Sequence, residues 1–273
     1  MPLTLIALAG FYAPDRAAVR YADALAQALH ANLVLLHVNR AALVDPYELL
    51  DESYRRDELV LQADTVSALR RVAGRLRTPA TVELSTDLLP AVAQDLAERY
   101  GPALFVLGQP AEEAAASIVP ACVELLRAGQ YPLLLVPAAA PAAVPQCFLV
   151  AADAEPFALS NEAQAWRPLL SRLGAEVLVA HVSAEGEDSA ACAAALRAVQ
   201  ASGLLQGLPA PELRGYSQPQ ASCGILAAVQ ETQADVLILL ARERSYLSEL
   251  FHRSVTAQVL KHTPVPVLLL PVE

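Results

Sequence analysis

The sequence predicts an α/β protein of two tandem domains, each a parallel sheet with helices on both faces. Continuous runs of Val, Leu and Ile alternate with longer helical segments, a pattern typical of parallel strands that are buried on both faces. The same order of segments appears twice along the chain, which indicates an internal repeat. A proline-rich stretch, PAAAPAAVP at 137–145, separates the two copies because it can neither continue a helix nor enter a central strand.

The first copy contains five predicted strands with helical segments between them. The opening strand, LTLIALA at 3–9, precedes a helical pattern whose apolar residues, Ala18 to Leu29, share one face. The second strand, NLVLLHV, ends at His37-Val38. A long helix is expected next over roughly 49–76, and the remaining strands are predicted at 80–84, 103–107 and 133–136.

The second copy follows the same order. Its opening strand, CFLVAA at 147–152, leads into a helical stretch that Pro168 should kink or shorten. The strand EVLVAHV ends at His181-Val182, which lies 144 residues after the first His-Val pair. A helix is expected over 188–203, and the remaining strands are predicted at 212–216, 235–239 and 267–270.

The two copies also end alike, since Pro132 and Pro137 match Pro266 and Pro271 at an offset of 134 residues. Prolines on both sides of the last strand predict an edge or end strand in each half. The resulting division is a first domain at 1–137, a semi-rigid linker at 138–145 and a second domain at 146–273.

Composition and charge narrow the possible partners. The chain has 273 residues, 55% of them hydrophobic, and a net charge of −10, which argues against a nucleic-acid surface as the main partner. No apolar stretch approaches the 18 residues of a membrane span, and the first residues make a poor signal peptide. The 4 cysteines include no CxxC pair and are expected to be buried and free, with a disulfide or redox switch as the alternative. We therefore expect a soluble cytoplasmic protein.

Common catalytic and metal-binding motifs are missing. The chain contains no GxGxxG, GxxxxGK[ST], GxSxG or HExxH, and its 5 histidines show no ligand spacing with Cys or carboxylates. His37 and His181 end the second strands, where open α/β sheets bind ligands. We expect each imidazole to bond a neighbouring loop carbonyl, with a ligand contact as the alternative. The sequence thus predicts no catalytic residue and no metal site.

Segments throughout the chain resemble the universal stress protein family in its tandem, two-domain form. The family's opening strand, which usually ends near an Asp, is similar to LTLIALAG and FLVAAD. Its second strand is similar to ANLVLLHV and AEVLVAHV. The stretch from ADVLILLARERSYL to PVPVLLLP, at 234–271, resembles the family almost throughout. The resemblance implies two flavodoxin-like (adenine nucleotide alpha hydrolase-like) domains, each a five-stranded sheet of order 3-2-1-4-5. It also implies an internal pseudo-dimer in which strands 133–136 and 267–270 pair.

Family members that bind ATP carry the pattern G-x2-G-x9-G-[S/T] after the fourth strand, where glycines let the backbone approach the phosphates. In the second half the three glycine positions hold Leu240, Glu243 and Arg253, and Ser254 alone fits the pattern. Glu243 would place a like charge beside the phosphates.

The first half departs from the same pattern in another way. Gly108 holds the first glycine position, but the loop is two residues short and carries Glu112-Glu113. Val119-Pro120 stands where the final Gly-Ser belongs, and Ala9 replaces the Asp that the second half keeps as Asp153. The ATP cofactor of related proteins is therefore predicted to be lost in both halves.

Two functions stay open at this point. The leading interpretation is a non-catalytic stress-response module with a binding or regulatory role. Its two halves are expected to form a pseudo-dimer within the chain. A homodimer and an unknown protein partner are also expected as possible associations. The alternative is a nucleotide-binding protein or slow ATPase whose rebuilt site uses Asp153, Arg242, Arg244 and Ser254. In the simpler interpretation, Asp153 is a loop or capping carboxylate and the two arginines lie in a solvated turn.

Overall fold

A computed structural model describes residues 3–10, 13–38, 52–109, 118–184, 186, 189–246 and 254–273. In the first half, strands and helices alternate as predicted. Its elements are β1 (Thr4–Leu8), α1 (Ala13–Leu29), β2 (Asn32–Val38), α2 (Glu52–Ala73), β3 (Ala80–Ser85), α3 (Leu89–Tyr100), β4 (Ala103–Gln109), α4 (Ile118–Gly129) and β5 (Leu133–Pro137).

The second half repeats this order with two of its helical segments divided. Its elements are β6 (Cys147–Ala151), α5 (Asn161–Gln164), α6 (Pro168–Leu173), β7 (Glu176–Ser183), α7 (Ser189–Ala201), β8 (Glu212–Ser217), α8 (Ala221–Thr232), β9 (Val236–Arg242), α9 (Glu243–Tyr246), α10 (Val255–His262) and β10 (Val267–Val272). Pro168 divides α5 from α6, as its missing N–H and fixed φ predict, and it occupies the start of the second helix.

All ten strands form one sheet of order β3-β2-β1-β4-β5-β10-β9-β6-β7-β8. Each half therefore has the predicted order 3-2-1-4-5, and its strands are parallel. Successive side chains of a strand point to opposite faces, so Leu5 and Ala7 enter one core while Ile6 enters the other. Helices cover both faces, which explains why the strands are apolar throughout rather than alternating.

The two halves join where β5 pairs with β10. This pair is antiparallel, with Val267 opposite Leu135 and Leu269 opposite Leu133. It is the pairing that the resemblance predicts for 133–136 and 267–270. The prolines around these strands, of which Pro137 ends β5 and Pro271 lies within β10, predicted an end strand. This holds within each half, but the joined sheet places both strands at its centre. The prolines are tolerated because the antiparallel register lies between them, at 133–135 and 267–269.

Side-chain hydrogen bonds between described residues also cross between the halves. The Gln109 side-chain amide donates to the carbonyl of Leu260. Ser160 Oγ donates to the Gln130 carbonyl at 3.2 Å, and Arg127 Nε to the Tyr246 carbonyl at 3.2 Å. The halves are thus held together by backbone pairing and by side chains on both sides of it.

Some predicted boundaries and burial patterns differ from the structure. The helix expected at 49–76 spans Glu52–Ala73, and residues 39–51 lie outside the described part of the chain. None of the four cysteines forms a disulfide. The prediction that they are buried is confirmed for Cys122, but Cys147 and Cys192 are half-buried and Cys223, in α8, is exposed. No helix or strand occurs between Pro137 and Cys147, and the division into domains at 138–145 stays a prediction.

Candidate functional site

The second half has an open cavity of about 310 Å³ at the carboxyl edge of the sheet, which we call the edge cavity. It lies between the ends of β6 and β9, where the chain order of neighbouring strands reverses. Open α/β sheets bind their ligands at this kind of crevice, because loops from the two strands diverge there. Its volume is at the lower end of the range for small-molecule pockets, which begins at about 300 Å³.

The lining of the edge cavity is mainly aliphatic. Strand ends, the first turns of α8 and the start of α10 supply alanine, valine, isoleucine and leucine side chains, and three lining residues are polar. The lining residues are Ala151, Ala152, Asp153, Ala180, Val182, Ala221, Ile225, Leu239, Leu240, Arg242, Val255 and Thr256. Such a surface favours an apolar or weakly polar ligand over a triphosphate, which needs several donors.

Asp153 and Arg242 form a bidentate ion pair at this cavity. Arg242 Nε lies 3.0 Å from Asp153 Oδ2, and its Nη2 lies 2.5 Å from Oδ1. The two residues are 89 positions apart in sequence, and the sheet brings them together because β6 and β9 are neighbours. The sequence predicts both residues for the alternative site, and the structure brings these two into contact.

Two further donors of Arg242 also have partners within the chain. Nη2 donates to the Glu155 carbonyl at 3.0 Å and Nη1 to the Pro156 carbonyl at 3.3 Å. The side chain is 13% exposed, and its hydrogen bonds to Asp153 raise the pKa of the guanidinium further above its ordinary value. Asp153 in turn accepts the backbone N–H of Glu155 at 3.2 Å. Arg242 thus ties the loop after β6 to the end of β9.

Ser254 caps α10. Its Oγ accepts the backbone N–H of Ala257 at 3.1 Å, which is the usual role of a serine at a helix N-cap. The side chain of Arg244 and the residue His252 lie outside the described part of the chain. The structure therefore brings Asp153 and Arg242 together at the edge cavity. Ser254 lies at the start of α10, beside the cavity-lining Val255 and Thr256.

Gly108 in the first half serves helix packing. A Cβ added to this residue at the end of β4 would lie 2.4 Å from the carbonyl carbon of Pro14 and 2.5 Å from its oxygen. The first turn of α1 therefore fits against β4 only if position 108 has no side chain. This contact accounts for the glycine without any phosphate.

The two strand-end histidines make the same contact in each half. His37 Nδ1 lies 2.8 Å from the Ala9 carbonyl, and His181 Nδ1 lies 3.0 Å from the Ala152 carbonyl. Because a carbonyl only accepts, Nδ1 carries the proton in both residues. The expected bond to a loop carbonyl is confirmed, and each imidazole holds the turn after the neighbouring opening strand.

Several lining residues were missed at the sequence level. Ala152 and Val182 could have been found, since Ala152 directly follows β6 and Val182 is next to the last residue of β7, both at the carboxyl edge. Ile225 had no such signal, because its helical spacing only indicates burial against the sheet. Among the described residues, no group of three or more His, Cys, Asp or Glu side chains could hold a metal ion. The described helices likewise include none that is long and apolar enough to cross a membrane.

Comparisons with known proteins agree with this fold. A sequence model of the Universal stress protein family matches residues 216–271. A universal stress protein from Archaeoglobus fulgidus DSM 4304 shares 17% identity at a TM-score of 0.65, covering 97% of this chain and 95% of its own. A functionally unknown protein from Pseudomonas aeruginosa PAO1 shares 16% identity at a TM-score of 0.57, covering 98% and 92%. No curated protein matches the chain by sequence.

The same fold occurs in other settings. The cytoplasmic domain of a prokaryotic cation chloride cotransporter shares 11% identity at a TM-score of 0.54 and covers 98% of this chain and 94% of its own. Identities this low show the fold alone, and fold does not determine function. The family-model match adds sequence similarity, but only over residues 216–271. Residues 216–271 thus match the sequence model of the universal stress protein family, and the chain as a whole has the same fold as the universal stress protein from Archaeoglobus fulgidus.

Proposed function

We propose that this chain is a non-catalytic stress-response module that binds a regulatory partner and has lost ATP binding in both halves. The observation that carries the proposal is the Asp153–Arg242 ion pair at the edge cavity. A cation that already bonds a carboxylate and two loop carbonyls has to give up these bonds before it can hold a phosphate.

Other features of the same edge support the loss of ATP. Ser254 Oγ accepts a helix N–H, whereas Leu240 and the exposed Glu243 stand at glycine positions of the pattern. In the first half, packing against Pro14 accounts for Gly108. The aliphatic edge cavity would then hold a small apolar ligand or a side chain of a partner protein.

The lack of disulfides and the pairing of β5 with β10 support a cytoplasmic location and an internal pseudo-dimer. Four thiols without a disulfide suit the reducing cytoplasm. The pairing of β5 with β10 removes two open strand edges, so the two halves act as a pseudo-dimer within one chain. A homodimer would use a different surface.

Nucleotide binding tests the proposal directly. We expect that protein purified without added nucleotide releases none on denaturation, and that calorimetry detects no ATP binding tighter than about 10 μM. Co-purified nucleotide, or tighter binding, would contradict the proposed loss.

The alternative function is nucleotide binding, or slow ATP hydrolysis, at a rebuilt site of Asp153, Arg242, Arg244 and Ser254. The edge cavity is open and has Asp153 and Arg242 in its lining, which is the observation in its favour. Should ATP bind, Asp153→Ala is expected to weaken that binding at least tenfold, with Glu176→Ala, an exposed carboxylate at the opposite edge of the sheet, as the matched control. Equal affinity in wild type and Asp153→Ala would remove the rebuilt site.

A further inference from the structure

The first half contains a second cavity, of about 530 Å³, between α1 and α2. The two helices run in the same direction on one face of the sheet because each joins a pair of parallel strands. The floor of this cavity is apolar and is formed by Ala9, Val19, Leu69, Val72 and Leu76. The edge cavity lies in the other half, so the two sites are distinct.

Four arginines form the rim of this cavity, which we call the arginine groove. Arg16 and Arg20 are one helical turn apart on α1, and Arg71 and Arg75 are one turn apart at the end of α2. All four residues are exposed, while the lining also includes the buried Val19 and Leu69. The groove therefore combines four arginine side chains from two helices with an apolar surface.

None of these four arginines forms an ion pair with another residue that the structure describes. The nearby carboxylate of Asp23 accepts the backbone N–H groups of Arg77, at 3.0 Å, and Thr78, at 2.8 Å. Like charges one turn apart on a helix repel each other, and Arg16 also lies near the positive end of the α1 dipole. A bound anion would remove both of these unfavourable terms.

The size and charge of the groove indicate the class of ligand. Its volume lies within the range of small-molecule pockets, about 300–1,000 Å³. Guanidinium forks match the oxygens of a phosphate, and the apolar floor suits a ring or hydrocarbon body. A net charge of −10 on the chain disfavours a nucleic acid or an anionic membrane, which would meet the whole surface. We propose that the arginine groove binds a phosphorylated small molecule with an apolar body.

Calorimetric titration with 1-naphthyl phosphate and with inorganic pyrophosphate tests this site. Wild-type protein is expected to bind 1-naphthyl phosphate with a Kd below about 1 mM, and more weakly as salt rises. The variant Arg20→Ala/Arg71→Ala should lose at least tenfold in affinity. Arg70→Ala/Arg77→Ala is the matched control, since it removes two exposed arginines of the same region that do not line the groove. That control should stay within about threefold of wild type.

Any of the following four results would overturn the proposal. If wild type binds neither probe below 1 mM, the groove is not a phosphate site. If the control loses as much as the groove variant, the binding reflects general charge. If pyrophosphate binds as tightly as 1-naphthyl phosphate, the apolar floor has no role. If RNA or anionic vesicles bind through Arg20 and Arg71 while the small probes do not, the ligand is a macromolecule. Thermal unfolding of both variants checks that they are folded.

Discussion

Gly108 occupies a phosphate-loop position but is required for the packing of α1. Its hydrogen faces the backbone of Pro14, and any Cβ would lie within 2.4 Å of that carbonyl carbon. Asp153 and Arg242 show the same principle in the second half, where residues that resemble a ligand site bond each other instead. At the residue scale, a motif position therefore carries information about ligand binding only once its neighbours in space are known.

Gly108→Ala is expected to destabilise the protein by about 1–3 kcal/mol, because overpacking forces β4 and α1 apart. Denaturant unfolding measures the change. Gly74→Ala is the control, since its added Cβ would approach no atom closer than 3.4 Å, and we expect a change within about 1 kcal/mol. Equal effects of the two substitutions would contradict the packing role of Gly108.

At the scale of elements, each outer strand of the sheet is tied to the helix that follows it by an arginine–carboxylate network. In the first half, Glu83 on β3 lies 3.0 Å from Arg99 on α3 and accepts the Tyr100 hydroxyl at 2.5 Å. In the second half the roles are reversed, with Arg214 on β8 lying 3.4 Å from Glu231 on α8. These networks place charge on both edge strands, which discourages pairing with other chains.

The stability that Glu83 contributes should depend on pH. Hydrogen bonds from Arg99, and then from Tyr100, lower the pKa of Glu83 in the folded protein. A lowered folded pKa means that the contribution is complete above the unfolded value of about 4.3 and is lost as the pH falls through the folded pKa. We expect wild type to exceed Glu83→Gln by up to about 1 kcal/mol in unfolding free energy at pH 7, with the difference shrinking once the pH falls below about 4.3.

The control for this measurement is Glu98→Gln. Glu98 is exposed on the same helix and forms no ion pair among the described residues. Its substitution removes a carboxylate but no ion pair, so it should change the unfolding free energy at pH 7 by less than Glu83→Gln does. A gap between wild type and Glu83→Gln that does not shrink as the pH falls below about 4.3 would show that the effect is not carried by the charge.

On the scale of the whole molecule, the pairing of β5 and β10 turns two half-sheets into one. The paired residues are nearly inaccessible, with exposures of 0–3% for Leu133–Leu135 and Val267–Leu269. The antiparallel backbone ladder and the apolar side chains around it join the halves independently of residues 138–145. The halves should therefore stay together without that connection.

Cutting the chain between the halves tests this expectation. A protease site inserted between Ala142 and Ala143, both exposed, should be cleaved without loss of assembly. We expect the two fragments to elute together from size exclusion at the volume of the uncut protein with the same insertion. Separate elution of two half-sized fragments would show that the linker, rather than the strand pairing, holds the molecule together.

The order of elements was predictable because strands and helices follow local patterns. Apolar runs identified the strands, Pro168 marked the break between α5 and α6, and the carbonyl bonds of His37 and His181 followed from their place at strand ends. The exposure of Cys223 was not predicted, because a single small residue carries no helical period of its own. Asp153 and Arg242 were found because they lie at the ends of strands, whereas Ile225, which comes from a helix, had no signal of its own.

The sequence by itself determined the repeat, the order of elements and the absence of a complete phosphate loop, because each of these depends on residues close together in the chain. Only the tertiary structure decided which distant residues meet. It joined Asp153 to Arg242, set Pro14 against Gly108 and brought the arginines of α1 and α2 to one groove. The physical reason is that strand neighbours and helix faces are selected by burial of the whole core, and no local pattern records which charges that burial leaves side by side.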